Sequence, residues 1–323
     1  MTKILILGGG GMIGQKLAHH LAAKGFEGAK AEIVSHDIAF PETPAPVARQ
    51  ITGSVTDPDI MTTLAAERPE VIFHLASIVS GEAEVDFDKG WLVNMFPCWN
   101  LLQALRAEHD ASNGSYRPRL VFTSSIAVFG GPYPEVISDE FLTVPQTSYG
   151  AQKAVCEQMI SDFSRKGFVD GISIRLPTIC VRPGKPNAAA SGFFSGIIRE
   201  PLNGQEAILP VEDTVMHSHA SPRSAVGFLV RAATMDTGTL EGRRALNMPG
   251  VSCTVAEQID ALRDVAGNNV VALIKPQTDP LITRIVDGWP RKFEAKRATA
   301  LGFTCEASFH DIIRTYIEDD LNR

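Results

Sequence analysis

KILILGGGGMIG, residues 3–14, is the stretch whose reading decides the fold. Ile4–Leu7 is a short, wholly apolar run that ends on glycines, the pattern of a strand buried on both faces of a parallel sheet. Beyond it Ile13, Leu17 and Leu21 recur four apart over Met12–Lys24, and Gly25 follows as a stop signal. That spacing predicts an amphipathic helix. The turn between strand and helix carries Gly8, Gly11 and Gly14. In such a strand–turn–helix the first glycine permits the tight turn and the second lets a pyrophosphate approach the backbone. The third lets helix and strand pack closely, and free N–H groups at the helix start, Met12 and Ile13 among them, face the anion.

Working outward, strand signals recur at 31–37, 50–53, 70–76, 119–124 and 171–175. Helical patterns lie between them at 57–67, 87–108 (with a kink expected at Pro97) and 148–166. Strands separated by helices imply right-handed crossovers and an α/β, Rossmann-type doubly wound parallel sheet. From Pro177 the pattern changes. Residues 183–220 are rich in Pro, Gly, Ala and Ser, and helices are expected near 191–200, 222–235, 254–266 and 309–320. The expected organisation is a dinucleotide-binding domain over 1–176 and a smaller C-terminal substrate lobe over 177–323 that returns late to the first domain. Asp37 closes the second strand, where an acid accepts hydrogen bonds from ribose hydroxyls and repels a 2′-phosphate. Its neighbours His36 and Ile38 offer no phosphate clamp, so NAD is expected rather than NADP.

The formal net charge of −7 gives no basic surface for a nucleic-acid backbone, and that partner is excluded. Cys98, Cys156, Cys180, Cys253 and Cys305 are scattered, without a Cys-x-x-Cys pair or a histidine at ligand spacing. They read as free thiols, and no metal site is expected. No apolar run is long enough for a bilayer, and Met1-Thr2-Lys3 leads straight into a strand; a cytoplasmic location is expected.

Tyr149 and Lys153 stand four apart on the helix at 148–166, and so share one face. A phenol ionises near pH ~10, so it serves as a base at neutral pH only where a cation favours its phenolate. The fifth strand ends in Thr123-Ser124-Ser125, whose hydroxyls can hold a substrate oxygen.

With Gly8, Gly11, Gly14, Asp37, His74-Leu75-Ala76-Ser77, Asn94, Thr123–Gly130 and Tyr149/Lys153 together, the chain resembles the extended short-chain dehydrogenase/reductases, the NAD-dependent epimerase/dehydratase superfamily. The resemblance covers essentially the whole chain, including Lys292–Phe303. It implies Tyr149 as general acid/base, Lys153 as its modulator and a ribose ligand, and Ser125 as the catalytic hydroxyl, with Ser124 as the alternative. It further implies cofactor contacts from Leu75, Ala76, Ser77, Asn94 and Pro177, and a homodimer through the helices at 87–108 and 148–166.

The chain departs from the sugar-nucleotide members of that family at Phe129, Thr178, Cys180 and 216–223. The stretch from Arg175 to Gly204, with His219–Phe228 after it, is similar to the D-erythronate dehydrogenase branch, which implies a small sugar acid as substrate. Thr178, Asn187 and Ser191 are small polar residues at the departures, and Thr178 is expected among the substrate ligands together with Ser125. Arg182 and Arg223 are candidate carboxylate ligands, since a guanidinium fork suits a carboxylate, with a structural or diphosphate-binding role as the alternative. His217 and His219 could lie near substrate, though alternation along a strand explains them equally. The leading expectation is hydride transfer from a hydroxy acid to NAD⁺. Its rivals are a nucleotide-sugar epimerase or dehydratase and a non-enzymatic NAD sensor; the complete Ser/Tyr/Lys set argues against the sensor.

Overall fold

A computed structural model describes residues 1–184 and 190–321; Asn187 lies outside the described residues. Along the chain run β1 (Lys3–Leu7), α1 (Met12–Lys24), β2 (Glu32–Asp37), β3 (Arg49–Thr52), α2 (Pro58–Ala66) and β4 (Val71–His74). Then come α3 (Ser80–Val85), α4 (Phe87–Asn94), α5 (Phe96–Ala111), β5 (Arg119–Ser125), α6 (Ser148–Arg165) and β6 (Asp170–Leu176). The later part holds β7 (Thr178–Ile179), α7 (Gly192–Leu202), β8 (Ala207–Leu209), β9 (Met216–Ala220), α8 (Pro222–Thr234), β10 (Ala245–Asn247) and β11 (Val251–Thr254). It closes with α9 (Val255–Ala266), α10 (Asn268–Val271), β12 (Ile274–Pro276), α11 (Pro280–Asp287), α12 (Lys296–Ala300) and α13 (Phe309–Tyr316).

The central sheet has seven strands in the order β10-β6-β5-β4-β1-β2-β3, the doubly wound arrangement expected of the alternating pattern. β1 pairs in parallel with β2 and with β4, β2 with β3, and β4 with β5. The apolar run of β1 is buried from Ile4 to Leu7, and α1 buries Gly14, Leu17, Ala18 and Leu21 along one stripe. The helix expected over 87–108 is two helices. The chain breaks at Met95 (φ −113°, ψ −53°), and Pro97 falls in the first turn of α5, where its missing N–H costs nothing. The preceding segment adds the short helix α3.

Two units partition the chain. The first holds Met1–Val128, Thr147–Arg175 and Val226–Leu246; the second holds Phe129–Gln146, Leu176–Ala225 and Asn247–Arg323. Two segments lie across a cut after residue 176: 226–246 fall in the first unit and 129–146 in the second. Residues 226–246 belong to the first unit because the backbone N–H of Ser173 donates to the Arg244 carbonyl (2.8 Å), and Asp170 binds Arg119, Arg244 and Thr237. Residues 129–146 belong to the second because Ile137 exchanges backbone hydrogen bonds with Lys292 and Glu294, and Phe129 packs on Phe141 and Phe293. Within the second unit, β11, β9 and β7 form one small sheet, and β12 with β8 another. Its core is built around Phe194, Ile197, Leu262, Phe309, Ile312 and Ile313. No described helix is long and apolar enough to cross a membrane.

Candidate active site

The glycines of the opening turn have different reasons to be glycine. Gly8 sits at φ +86°, and a Cβ there would lie 2.6 Å from the backbone nitrogen of Ala76. The 75–76 loop crosses at that point because the N–H groups of Leu75 and Ala76 both donate to the Leu7 carbonyl. A Cβ on Gly14 would lie 2.3 Å from the Gly8 carbonyl oxygen, so α1 could not dock. Gly11 differs. It is exposed, it precedes the first residue of α1 without a side-chain cap, and a Cβ there would meet no atom of the chain closer than the Gly8 oxygen at 3.5 Å. The chain's own packing does not require glycine at 11. An open approach to the free N–H groups of a helix start fits the pyrophosphate of a dinucleotide. Met12 and Ile13, in the first turn of α1, are partly exposed.

Asp37 is tied to this turn. The N–H of Gly10 donates to its Oδ2 at 2.9 Å, and that of Ile38 to its Oδ1 at 2.7 Å. The carboxylate is thereby fixed beside the glycines at the carboxyl end of β2, where ribose hydroxyls are bound in such folds. These residues fit an adenine dinucleotide.

The catalytic candidates meet where α6 packs on β5. Thr147 caps α6 by accepting the N–H of Gly150 (3.1 Å), so the helix starts just before Tyr149. One turn on, Lys153 is 2% exposed. Its ammonium donates to the Thr123 carbonyl at 2.9 Å and lies 4.8 Å from the ring centre of Phe122 and 5.4 Å from that of Tyr149. A buried ammonium needs such partners. His74 is also buried, and desolvation together with the Lys153 charge pushes its imidazole down to about 3. It stays neutral at working pH and opposes the ammonium with no like charge.

The two serines at the end of β5 part ways. Ser124 is buried and donates to Glu157 Oε1 at 2.5 Å, while Arg175 grips the same carboxylate with Nε at 2.9 Å and Nη2 at 2.7 Å. Ser125 is only partly buried, and its Oγ accepts the N–H of Ala127 at 3.1 Å, which leaves its proton for a ligand. Ser124 is thus a structural hydroxyl, and of the two only Ser125 keeps a proton to offer.

Asn94 is 1% exposed, and its polar atoms face inward. Its Oδ1 accepts the N–H of Ile78 (2.8 Å) and the hydroxyl of Ser77 (2.9 Å), and its Nδ2 donates to Gln152 Oε1 (2.8 Å). Through these bonds Asn94 joins the loop after β4 to α6.

In the second unit, Pro177 packs near Gly250, and Thr178 Oγ1 lies 2.8 Å from His217 Nε2. The Nε of Arg182 donates to the Ile179 carbonyl at 3.0 Å, which fixes the base of its fork. Arg223 does not have the expected carboxylate-binding geometry. Its guanidinium already holds Asp319 through Nε and Nη2, at 3.1 and 2.7 Å, and Glu318 at 2.9 Å. Those acids raise its pKa and would repel a substrate carboxylate, which favours the structural role given above as the alternative.

The family described as "NAD dependent epimerase/dehydratase family" matches residues 4–223. The D-erythronate dehydrogenase of Cupriavidus necator is 43% identical over 98% of both chains. That of Haemophilus influenzae is 39% identical over 99% of this chain and all of its own. The chain belongs to the NAD-dependent epimerase/dehydratase family. A solved structure described as a nucleoside-diphosphate-sugar epimerase from Agrobacterium tumefaciens is 54% identical, with a TM-score of 0.95 over 99% of this chain and 94% of that one. Sequence reasoning missed Gln152, which binds Asn94, and Glu157, which binds Ser124 and Arg175. Each acts through a partner distant in sequence, and the only available signal was a polar residue in an otherwise apolar periodic stretch.

Gly11→Ala should lower stability to urea by no more than about 1 kcal/mol, the scale of an alanine at a helix N-cap, while weakening dinucleotide affinity measured by calorimetry. Gly14→Ala should instead lower stability by about 1–3 kcal/mol through overpacking. Equal effects on stability would contradict the distinction.

Proposed function

We propose that this protein is an oxidoreductase that oxidises the C2 hydroxyl of a small, D-erythronate-like sugar acid to the 2-oxo acid, with NAD as acceptor. The observation that carries the chemistry is the buried Lys153 ammonium, bound to the Thr123 carbonyl and lying beneath the ring of Tyr149, one turn from it on α6. The sugar-acid reading is supported by the two dehydrogenases that align over nearly the whole chain.

Gly8, Gly11, Gly14 and the start of α1 hold the pyrophosphate, and Asp37 takes the ribose hydroxyls and disfavours a 2′-phosphate. When bound, NAD supplies the hydride acceptor. Tyr149 takes the proton of the substrate hydroxyl, and the Lys153 charge stabilises the phenolate that this requires. Ser125 donates to the substrate oxygen and fixes its direction. Arg182, braced by the Ile179 carbonyl, is the ligand proposed for the acid's carboxylate. Five free thiols suit a reducing, cytoplasmic setting.

The name of the Agrobacterium relative favours a second reading, epimerisation of a nucleotide sugar by the same Ser/Tyr/Lys groups without net redox change. Absorbance of NADH separates the two when four-carbon sugar acids, UDP-sugars and dTDP-sugars are each offered with NAD⁺ or NADP⁺. NADH is expected with a four-carbon acid and NAD⁺ alone, and Tyr149→Phe should reduce that rate at least 100-fold, on the scale of lost acid–base catalysis, with dinucleotide binding retained. Turnover of a nucleotide sugar with no NADH from any acid would overturn the reading.

We further propose a homodimer through α4, α5 and α6. Leu92 of α4 and Phe96 and Trp99 of α5 are 49%, 48% and 40% exposed, and Trp99 packs edge-on against Phe163 of α6. Phe96→Glu with Trp99→Glu should halve the mass found by sedimentation velocity; a monomeric parent, or an undiminished mass, would contradict the dimer.

A further inference from the structure

We infer that Gln152 is a positioning residue for the dinucleotide: through Asn94 it holds the loop after β4 against the glycine turn. The inference rests on the dinucleotide site proposed above and adds a residue to it.

The orientation of both amides follows from one donor whose identity is fixed. The backbone N–H of Ile78 can only donate, so the atom of Asn94 that it meets at 2.8 Å is the carbonyl oxygen Oδ1. The Ser77 hydroxyl donates to the same oxygen at 2.9 Å. Nδ2 is then the other end of the amide, and it donates at 2.8 Å to Gln152, whose facing atom is Oε1. Asn94 is the last residue of α4, and α6 holds it a second time where the Cys156 thiol donates to its backbone carbonyl at 3.5 Å. Gln152 and Cys156 are four apart and share one face of α6. That face fixes Asn94, and Asn94 fixes Ser77 and Ile78.

The loop so held is the one that crosses the glycine turn. A Cβ on Gly8 would come within 2.6 Å of the Ala76 nitrogen, one residue before Ser77. Packing this close transmits a displacement, so a shift of Ser77 and Ile78 reaches the turn proposed to hold the pyrophosphate. All of these residues lie in the first unit.

Gln152 is a poor choice for filling space alone. It is fully buried, and with Oε1 turned to Asn94 its Nε2 has no hydrogen-bond partner among the described residues. That nitrogen lies against Gly90 of α4, where a Cβ would come within 2.5 Å of it. A buried unpaired donor is destabilising, and an apolar side chain of similar length has none. What the amide supplies in return is the acceptor for Asn94.

The test measures NAD⁺ affinity by calorimetry and stability by urea unfolding on the same variants. Gln152→Met should raise the Kd for NAD⁺ roughly tenfold, the scale of one buried hydrogen bond. The urea midpoint should change little, because an unpaired Nδ2 on Asn94 replaces the unpaired Nε2. Asn94→Ala should also bind NAD⁺ more weakly, and adding Gln152→Met to it should weaken binding no further, since the two residues act in series. Gln152→Ser, too short to reach Asn94, carries the same expectations should Gln152→Met not fold. A Kd unchanged in Gln152→Met, whatever its stability, or a second loss of affinity on top of Asn94→Ala, would overturn the inference while leaving the dinucleotide site standing. No binding of NAD⁺ by the wild type would remove that site and this inference with it.

Discussion

The hydrogen bond from the Lys153 ammonium to the Thr123 carbonyl is the constraint on which the site depends. A nearly fully buried cation is costly unless it is paired or hydrogen-bonded, so α6 can dock on β5 only in the register that delivers this contact. That register puts Tyr149 in the first turn, beside the strand end that carries Ser125. Glu157, one turn beyond Lys153, is buried on the same face and binds Ser124 and Arg175. Helix α6 is therefore held to β5 and β6 by two buried charges of opposite sign. Removal of one partner from such a pair is strongly destabilising, because the other charge is left uncompensated. The same contacts that secure the fold thus set the catalytic geometry.

Much of this was legible in the sequence because it is local. The β1 run, the glycine turn and the four-residue spacing of Tyr149 and Lys153 each express one periodicity or one steric demand within a few residues. What the sequence did not carry depends on distant partners. Ser124 and Ser125 read alike until Glu157, 33 residues on, takes the first of them. Arg223 reads equally as a carboxylate ligand or a structural cation until Glu318 and Asp319, 95 and 96 residues later, are found on its fork. Asn94 reads as a cofactor ligand, and only the fold shows its amide joining the loop after β4 to α6. The break at Met95 was missed because apolar periodicity continues across it, and Pro97 was read as a kink when it belongs to a first turn.

The relatives divide at the point where the fold stops being informative. The Ser/Tyr/Lys set serves oxidation and epimerisation equally, since both begin with loss of a hydroxyl proton and the hydrogen on its carbon. The difference lies in which substrate is bound and in whether the reduced dinucleotide leaves. Polar atoms around Thr178 and Arg182 bear on the first question, and the names of the relatives point in both directions.

The most direct measurement of the central claim follows an isotope. A four-carbon sugar acid deuterated at C2 is incubated with NAD⁺ and the protein, and the dinucleotide is separated and examined by mass spectrometry. The predicted result is deuterium in the released NADH, in one-to-one proportion with the oxo acid formed. Absence of the label from the free dinucleotide, with deuterium retained in a stereoisomer of the starting compound, would contradict it.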